Sequence, residues 1–166
     1  MPPTLDTERL VLRQFEERDL DAYAAMSADA EVMRYIGQGG PIGRDAAWGQ
    51  LAFFLGHWAL RGYGMWALEL RASGRLIGRA GFINPEGWPG LELGWLLARD
   101  AWGCGYAAEA CAAALATRRA ASGSTRWRST PRAPAPASPA KWRPSWRSWP
   151  PRSKPPAARR RPWPRS

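Results

Sequence analysis

The chain has 166 residues, enough for one domain, with a net charge of +10, one histidine and two cysteines. Cys104 and Cys111 stand seven apart across a turn and a helix, a spacing that fits neither a disulfide framework nor a metal centre. No apolar run reaches membrane-spanning length and no basic-then-apolar segment opens the chain, so a cytoplasmic protein without a membrane span is expected.

In chain order, Leu10-Val11-Leu12-Arg13 alternates as a first strand. Asp19 is placed to cap a helix carrying Leu20, Tyr23, Ala24, Met26 and Ser27 at helical spacing. A second helix is predicted from about Arg44 to Leu60, with Trp48, Leu51, Phe54, Leu55 and Trp58 as its apolar face and Gly62 and Gly64 as its end. His57 falls in this helix and reads as structural or exposed rather than catalytic. Met65 to Leu70 is a strand, and Ser73-Gly74 turns it into a second strand from Leu76 to Ile83. A Pro- and Gly-rich connection, Asn84 to Gly90, leads into a third strand from Leu91 to Leu97.

The stretch that follows carries the chemistry. Gly103 and Gly105 sit two apart, where a side chain would resist positive φ. From Ala107 to Ala116 almost every residue is a good helix former. Glycines before a helix leave its first amide N–H groups bare, and that helix end is partially positive, so the pair makes a place for a phosphate or pyrophosphate. The bland alternative is a tight connection and nothing more.

Trp102-Gly103-Cys104-Gly105-Tyr106-Ala107-Ala108-Glu109-Ala110, after Glu92-Leu93-Gly94-Trp95, resembles the GNAT N-acetyltransferases. Within them it resembles the branch that acetylates ribosomal-protein N-termini and related amines. Thr7-Glu8-Arg9-Leu10-Val11-Leu12-Arg13 extends the resemblance to the N-terminus, and it runs to about Ala116. It implies an α/β fold with a mixed, mainly antiparallel sheet flanked by helices, here truncated after the cofactor helix. It also implies acetyl transfer from acetyl-CoA to a primary amine, a protein N-terminus or a small molecule, with no metal.

On that resemblance, main-chain amides of Gly103, Cys104, Gly105, Tyr106, Ala107 and Ala108 hold the pyrophosphate, and the strand backbone at Leu96 and Leu97 pairs with the pantetheine amides. Glu92 is the candidate general base, its apolar neighbours serving to raise its pKa. The alternative for Glu92 is a solvated strand residue or an ion pair with an arginine. Glu109 supports the helix start. Cys104 reads as a small turn filler, since no histidine neighbours it. The acid that would protonate the leaving thiolate belongs to a later region with no counterpart here.

The chain divides by composition into 1–116, with ten arginines against all 14 acids, and 117–166, with fourteen bases and no acid. The second part also holds eleven of the 16 prolines and no Leu, Ile, Val, Phe or Met, so it is expected to be disordered. Its Arg, Trp and Pro mixture is that of a cationic arm for nucleic acid or anionic membrane, or of GC-rich codons read out of frame. With permitted codons GCT-TCG-GGC-TCG-ACG-CGG-TGG for Ala121 to Trp127, a one-base regrouping yields Phe-Gly-Leu-Asp-Ala-Val at 122–127. Relatives carry Gly-Leu-Asp-x-Val after this helix. The tail is therefore read as a frameshift product.

Overall fold

The structure, a computed structural model, describes residues 2–37 and 39–122. Five antiparallel strands form one sheet in sequence order: β1 (Leu5–Asp6), β2 (Leu10–Arg13), β3 (Met65–Leu70), β4 (Leu76–Ile83) and β5 (Glu92–Leu97). Between β2 and β3 lie α1 (Leu20–Ala28), α2 (Ala30–Met33) and α3 (Arg44–Arg61); α4 (Tyr106–Ser122) follows β5. The expected strands and long helices are present. β1 and α2 are additions, each too short to leave a periodic signal. α4 continues past Ala116, so it crosses the expected division of the chain. The remainder of the expected tail, 123–166, lies outside the described residues.

Alternation along the strands gives the sheet two covered faces. Met65, Ala67 and Leu96 pack with Tyr23, Leu51 and Phe54 of α1 and α3. Trp66, Leu68, Ala80, Phe82 and Leu97 pack on the opposite face with Ala110 and Ala114 of α4. Small residues on α4 let its backbone approach the sheet closely. Arg118 then lays its guanidinium over the Tyr63 and Phe82 rings, at 4.7 and 5.6 Å.

Two expectations need correction. The buried face of α3 is Ala46, Ala47, Leu51, Phe54, His57 and Trp58; Trp48 is 54 % exposed. A side chain's bulk does not say on which edge of an apolar stripe it falls, and small Ala47 takes the place against the sheet. Asp19 does not cap α1 with its side chain. It closes a 3₁₀ turn, Glu17–Asp19, by accepting from the Glu16 N–H at 2.8 Å, and receives both ends of the Arg13 guanidinium at 2.7 and 2.8 Å. A buried arginine outcompetes a helix N–H for a carboxylate, because charge-assisted bidentate pairing is the stronger bond.

Gly62 ends α3 in the left-handed conformation, φ 72°, as expected of a glycine past the last turn. His57 is buried and structural. Its Nδ1 donates to the Tyr63 carbonyl at 2.7 Å and its Nε2 accepts from the Asn84 N–H at 3.0 Å. The ring thus ties the end of α3 to the end of β4. His57→Phe keeps the bulk and strands both partners. It is expected to lower stability by about 2 kcal/mol, read as a lower urea midpoint at unchanged slope.

Candidate active site

β5 is one of the two edge strands of the sheet among the described residues, opposite the short β1. From its end the chain makes a 3₁₀ turn, Arg99–Ala101, and then the glycine turn into α4. Gly103 has φ 74° and Gly105 φ 80°. Both therefore adopt the conformation that the sequence reserved for glycine. No atom lies within 4 Å of a Cβ built on Gly103, and for Gly105 only Arg9 Nη2 comes near, at 3.5 Å. The turn is open on its outer side.

Tyr106, Ala107 and Ala108 form the first turn of α4, and their amides precede the first intrahelical donor, the Glu109 N–H, which bonds Gly105 O at 3.1 Å. Cys104 is exposed and a free thiol; its carbonyl accepts from Arg9 Nη1 at 2.9 Å. The six residues Gly103 to Ala108 are thus one continuous, outward-facing turn.

What holds this turn to the sheet was not legible in the motif. Glu109 accepts from the Thr7 hydroxyl at 2.6 Å, the Arg9 amide at 2.9 Å and Arg9 Nε at 2.8 Å, and pairs with Arg9 Nη2 at 2.7 Å. Arg9 also covers the Tyr106 ring at 4.7 Å. The β1–β2 turn is locked to the start of α4 by residues a hundred positions apart. Thr7 and Arg9 stood in the N-terminal motif, but only the fold pairs them with Glu109. On the other side, Arg99 Nη2 binds Asp29 Oδ1 at 2.5 Å, where Asp29 also caps α2.

Burial acts to raise the Glu109 pKa, but the Thr7 hydroxyl and the Arg9 amide and guanidinium outweigh it, and the carboxyl lies below its ordinary value of 4.5. A lowered folded pKa contributes stability that is complete above the unfolded value and lost as pH falls through the folded one. Wild type is therefore expected to lose stability relative to Glu109→Gln below about pH 4.5. Urea midpoints of both proteins at pH 7, 4 and 3 check this: the gap between them should close with acid.

Leu96 and Leu97 differ in which way their backbone points. The Leu96 carbonyl is turned to β4, 2.0 Å from where a Gly78 Cβ would lie, and the next-but-one N–H, Ala98, donates to Ile77 O at 2.8 Å. By alternation Trp95 and Leu97 present their polar groups to the open edge. The Leu97 carbonyl is already taken by the Trp102 indole N–H at 2.9 Å. Pairing parity is a tertiary fact, which the residue types at Trp95, Leu96 and Leu97 do not carry.

Glu92 is exposed at the start of β5, and its Oε2 accepts from the Trp88 indole at 3.2 Å. Its apolar neighbours do not enclose it. Leu91 and Leu93 pack toward α4, because adjacent strand residues face opposite ways. Glu92 lies instead on the α1–α3 face, beside Gly94. Among the described residues no cluster of His, Cys, Asp or Glu is arranged to hold a metal, and no helix is long and apolar enough to cross a membrane.

An acetyltransferase (GNAT) domain model matches residues 9–138, beyond the expected end near Ala116. The chain is 30 % identical over 110 residues to the uncharacterized N-acetyltransferase YoaA of Bacillus subtilis (strain 168), covering 66 % of this chain and 62 % of that protein. It is 31 % identical over 119 residues to YkkB of the same organism, covering 67 % and 65 %. It thus spans less than two thirds of the curated relatives it matches. Among solved structures it is similar to the acetyltransferase from Agrobacterium tumefaciens str. C58, with TM-score 0.66, 35 % identity and 75 % and 71 % of the two chains covered. The acetyltransferase (GNAT family) from Bacillus anthracis gives TM-score 0.62, 25 % identity and 73 % and 69 % coverage. With a family model spanning most of the chain and the same mixed α/β architecture in solved relatives, this chain belongs to the GNAT acetyltransferase family.

Proposed function

We propose that this domain transfers an acetyl group from acetyl-CoA to a primary amine, in the manner of the ribosomal-protein N-terminal acetyltransferases whose motif it resembles. The observation that carries this reading is the outward-facing turn Gly103 to Ala108, with two positive-φ glycines, beside the open edge of β5. The open outer side of the turn supports the reading: a Cβ built on Gly103 meets nothing within 4 Å, and one on Gly105 meets only Arg9 Nη2 at 3.5 Å.

In this reading the amides of Gly103, Cys104, Gly105, Tyr106, Ala107 and Ala108 hold the pyrophosphate, aided by the positive end of α4. Trp95 and Leu97 offer main-chain groups to the pantetheine, with Leu96 contributing its packed side chain rather than its carbonyl. Acetyl-CoA, when bound, supplies an activated thioester carbonyl. Glu92, open to solvent on the same strand, takes the proton from the acceptor ammonium, directly or through a water. A cytoplasmic location belongs to the same reading, supported by the free thiols Cys104 and Cys111.

The division into an acetyltransferase part and a basic part from 117 onward, the latter a frameshift product with impaired activity as its consequence, is likewise proposed. Composition supports it, as does a β5 edge without a partner strand among the described residues. Sequencing the encoding DNA tests the frame directly.

Calorimetry with acetyl-CoA, on chains with and without 117–166 and at two salt concentrations, tests the reading as a whole. Binding that survives removal of the basic part and changes little with salt is expected of an amide cradle. Binding lost with the basic part and falling steeply with salt would replace the reading with that of a cationic arm.

A further inference from the structure

Two arginines are buried side by side on the α1–α3 face of the sheet. Arg13 of β2 and Arg79 of β4 both stand opposite Ala67 of β3, and each is 8 % exposed. Arg13 has two carboxylates: Asp19 grips it at both ends and Glu69 accepts from its Nε at 2.7 Å. Arg79 makes no salt bridge among the described residues. Its Nε donates to the Tyr23 hydroxyl at 3.0 Å, and that hydroxyl donates on to Gln50 at 2.7 Å. Nη1 meets Met65 Sδ at 3.7 Å, and the guanidinium lies 5.0 Å from the Phe54 ring centre. These contacts orient the group without neutralising it, and no protein acceptor among the described residues meets Nη2.

A guanidinium taken out of water without a counter-charge is costly, and buried charges in folded chains are ordinarily paired. Among the described residues no carboxylate meets Arg79: every acid that pairs with an arginine pairs with another one. What lies beside Arg79 points to where the anion comes from. Met65, which Arg79 touches, stands opposite Gly81, two positions nearer to the Glu92 end of the sheet. Its methyl group is 3.2 Å from where a Gly94 Cβ would be, and Glu92 Oε1 is 3.4 Å from the same point. Arg79, Met65, Gly94 and Glu92 therefore form a row on one face, in which the Met65 methyl and the Glu92 carboxylate both close on the space beside Gly94.

We propose that Arg79 reads a carboxylate on the acceptor: the substrate is an amine that also carries a carboxylate, held through the open Nη edge of Arg79 with its amine directed along the Met65–Gly94 row toward Glu92. Tyr23 and Gln50 position the guanidinium. The inference rests on the acetyl-transfer reading and narrows its acceptor class to amino acids or peptide carboxyl ends.

The test uses a panel of amino acids and dipeptides, each beside its carboxamide: the full chain for the Tm shifts, and the frame-restored chain at fixed acetyl-CoA for turnover. Release of the CoA thiol and the shift in Tm caused by each compound alone are both measured. The acid is expected to exceed its amide by roughly a hundredfold in kcat/KM, and acids alone should raise Tm. Amino acids outperforming dipeptides, or the reverse, identifies the source of the carboxylate. Arg79→Met should erase both preferences through KM for the acid, leave KM for acetyl-CoA unchanged, and raise the Tm of the free protein, because an uncompensated charge is gone. Arg79→Lys, which keeps the charge but not the fork, should retain part of the preference. Equal use of acids and amides, no Tm shift by any acid, or a preference that persists in Arg79→Met would overturn the inference. Loss of acetyl-CoA binding is measured separately and would overturn the acetyl-transfer reading instead.

Discussion

Gly105→Val is expected to abolish measurable acetyl-CoA binding while the sheet still forms. The position is held at φ 80°, where a β-branched residue is strained by roughly 1–3 kcal/mol. That strain is smaller than the stability of an ordinary domain, so the fold should survive. No packing clash adds to it, since the nearest atom to a Cβ there is Arg9 Nη2 at 3.5 Å. The effect falls on function through two routes. Relaxing the strain turns the Tyr106 and Ala107 amides away from their common aim, and the branched side chain stands on the outer side of the turn where a phosphate would approach. Calorimetry with acetyl-CoA, beside circular dichroism of the same sample, checks both halves. A folded variant with wild-type affinity would remove the phosphate cradle from this turn.

The glycine turn was legible because it depends on local backbone conformation, which residue type alone can dictate. The alternation of β3, β4 and β5, and the stop at Gly62, were legible for the same reason. What the sequence concealed depends on pairing across the chain. Glu109 could be seen as an acid near a helix start, but its grip on Thr7 and Arg9 exists only because β2 runs beside α4. Asp19 looked like a cap until Arg13, six residues earlier, was folded over it. Glu92 seemed enclosed by leucines because neighbours in sequence are read as neighbours in space, and in a strand they face opposite ways. Arg79 gave no signal at all. A lone arginine in a strand is ordinary, and only the absence of a carboxylate around it, beside a doubly paired Arg13, makes it conspicuous.

On the proposed frameshift, the largest change in activity is expected from restoring the reading frame after Ala116. The present chain should bind acetyl-CoA weakly and transfer acetyl groups slowly or not at all, whereas the restored one should recover solubility and activity together. β5 is an edge with no partner strand among the described residues, and an open edge beside apolar surface favours association over a competent monomer. The region expected to supply the acid for the leaving thiolate, after the next strand, lies outside the described residues. Lack of a general acid alone lowers a rate roughly 10²–10⁴-fold. In the restored chain, Glu92→Gln should then lower kcat by a similar factor with acetyl-CoA affinity intact, because Glu92 lies at the far end of β5 from the glycine turn. Turnover of the present chain equal to the restored one on any amine would show that residues 117–166 serve as a working second half. Unchanged kcat in Glu92→Gln would move the base elsewhere on the α1–α3 face.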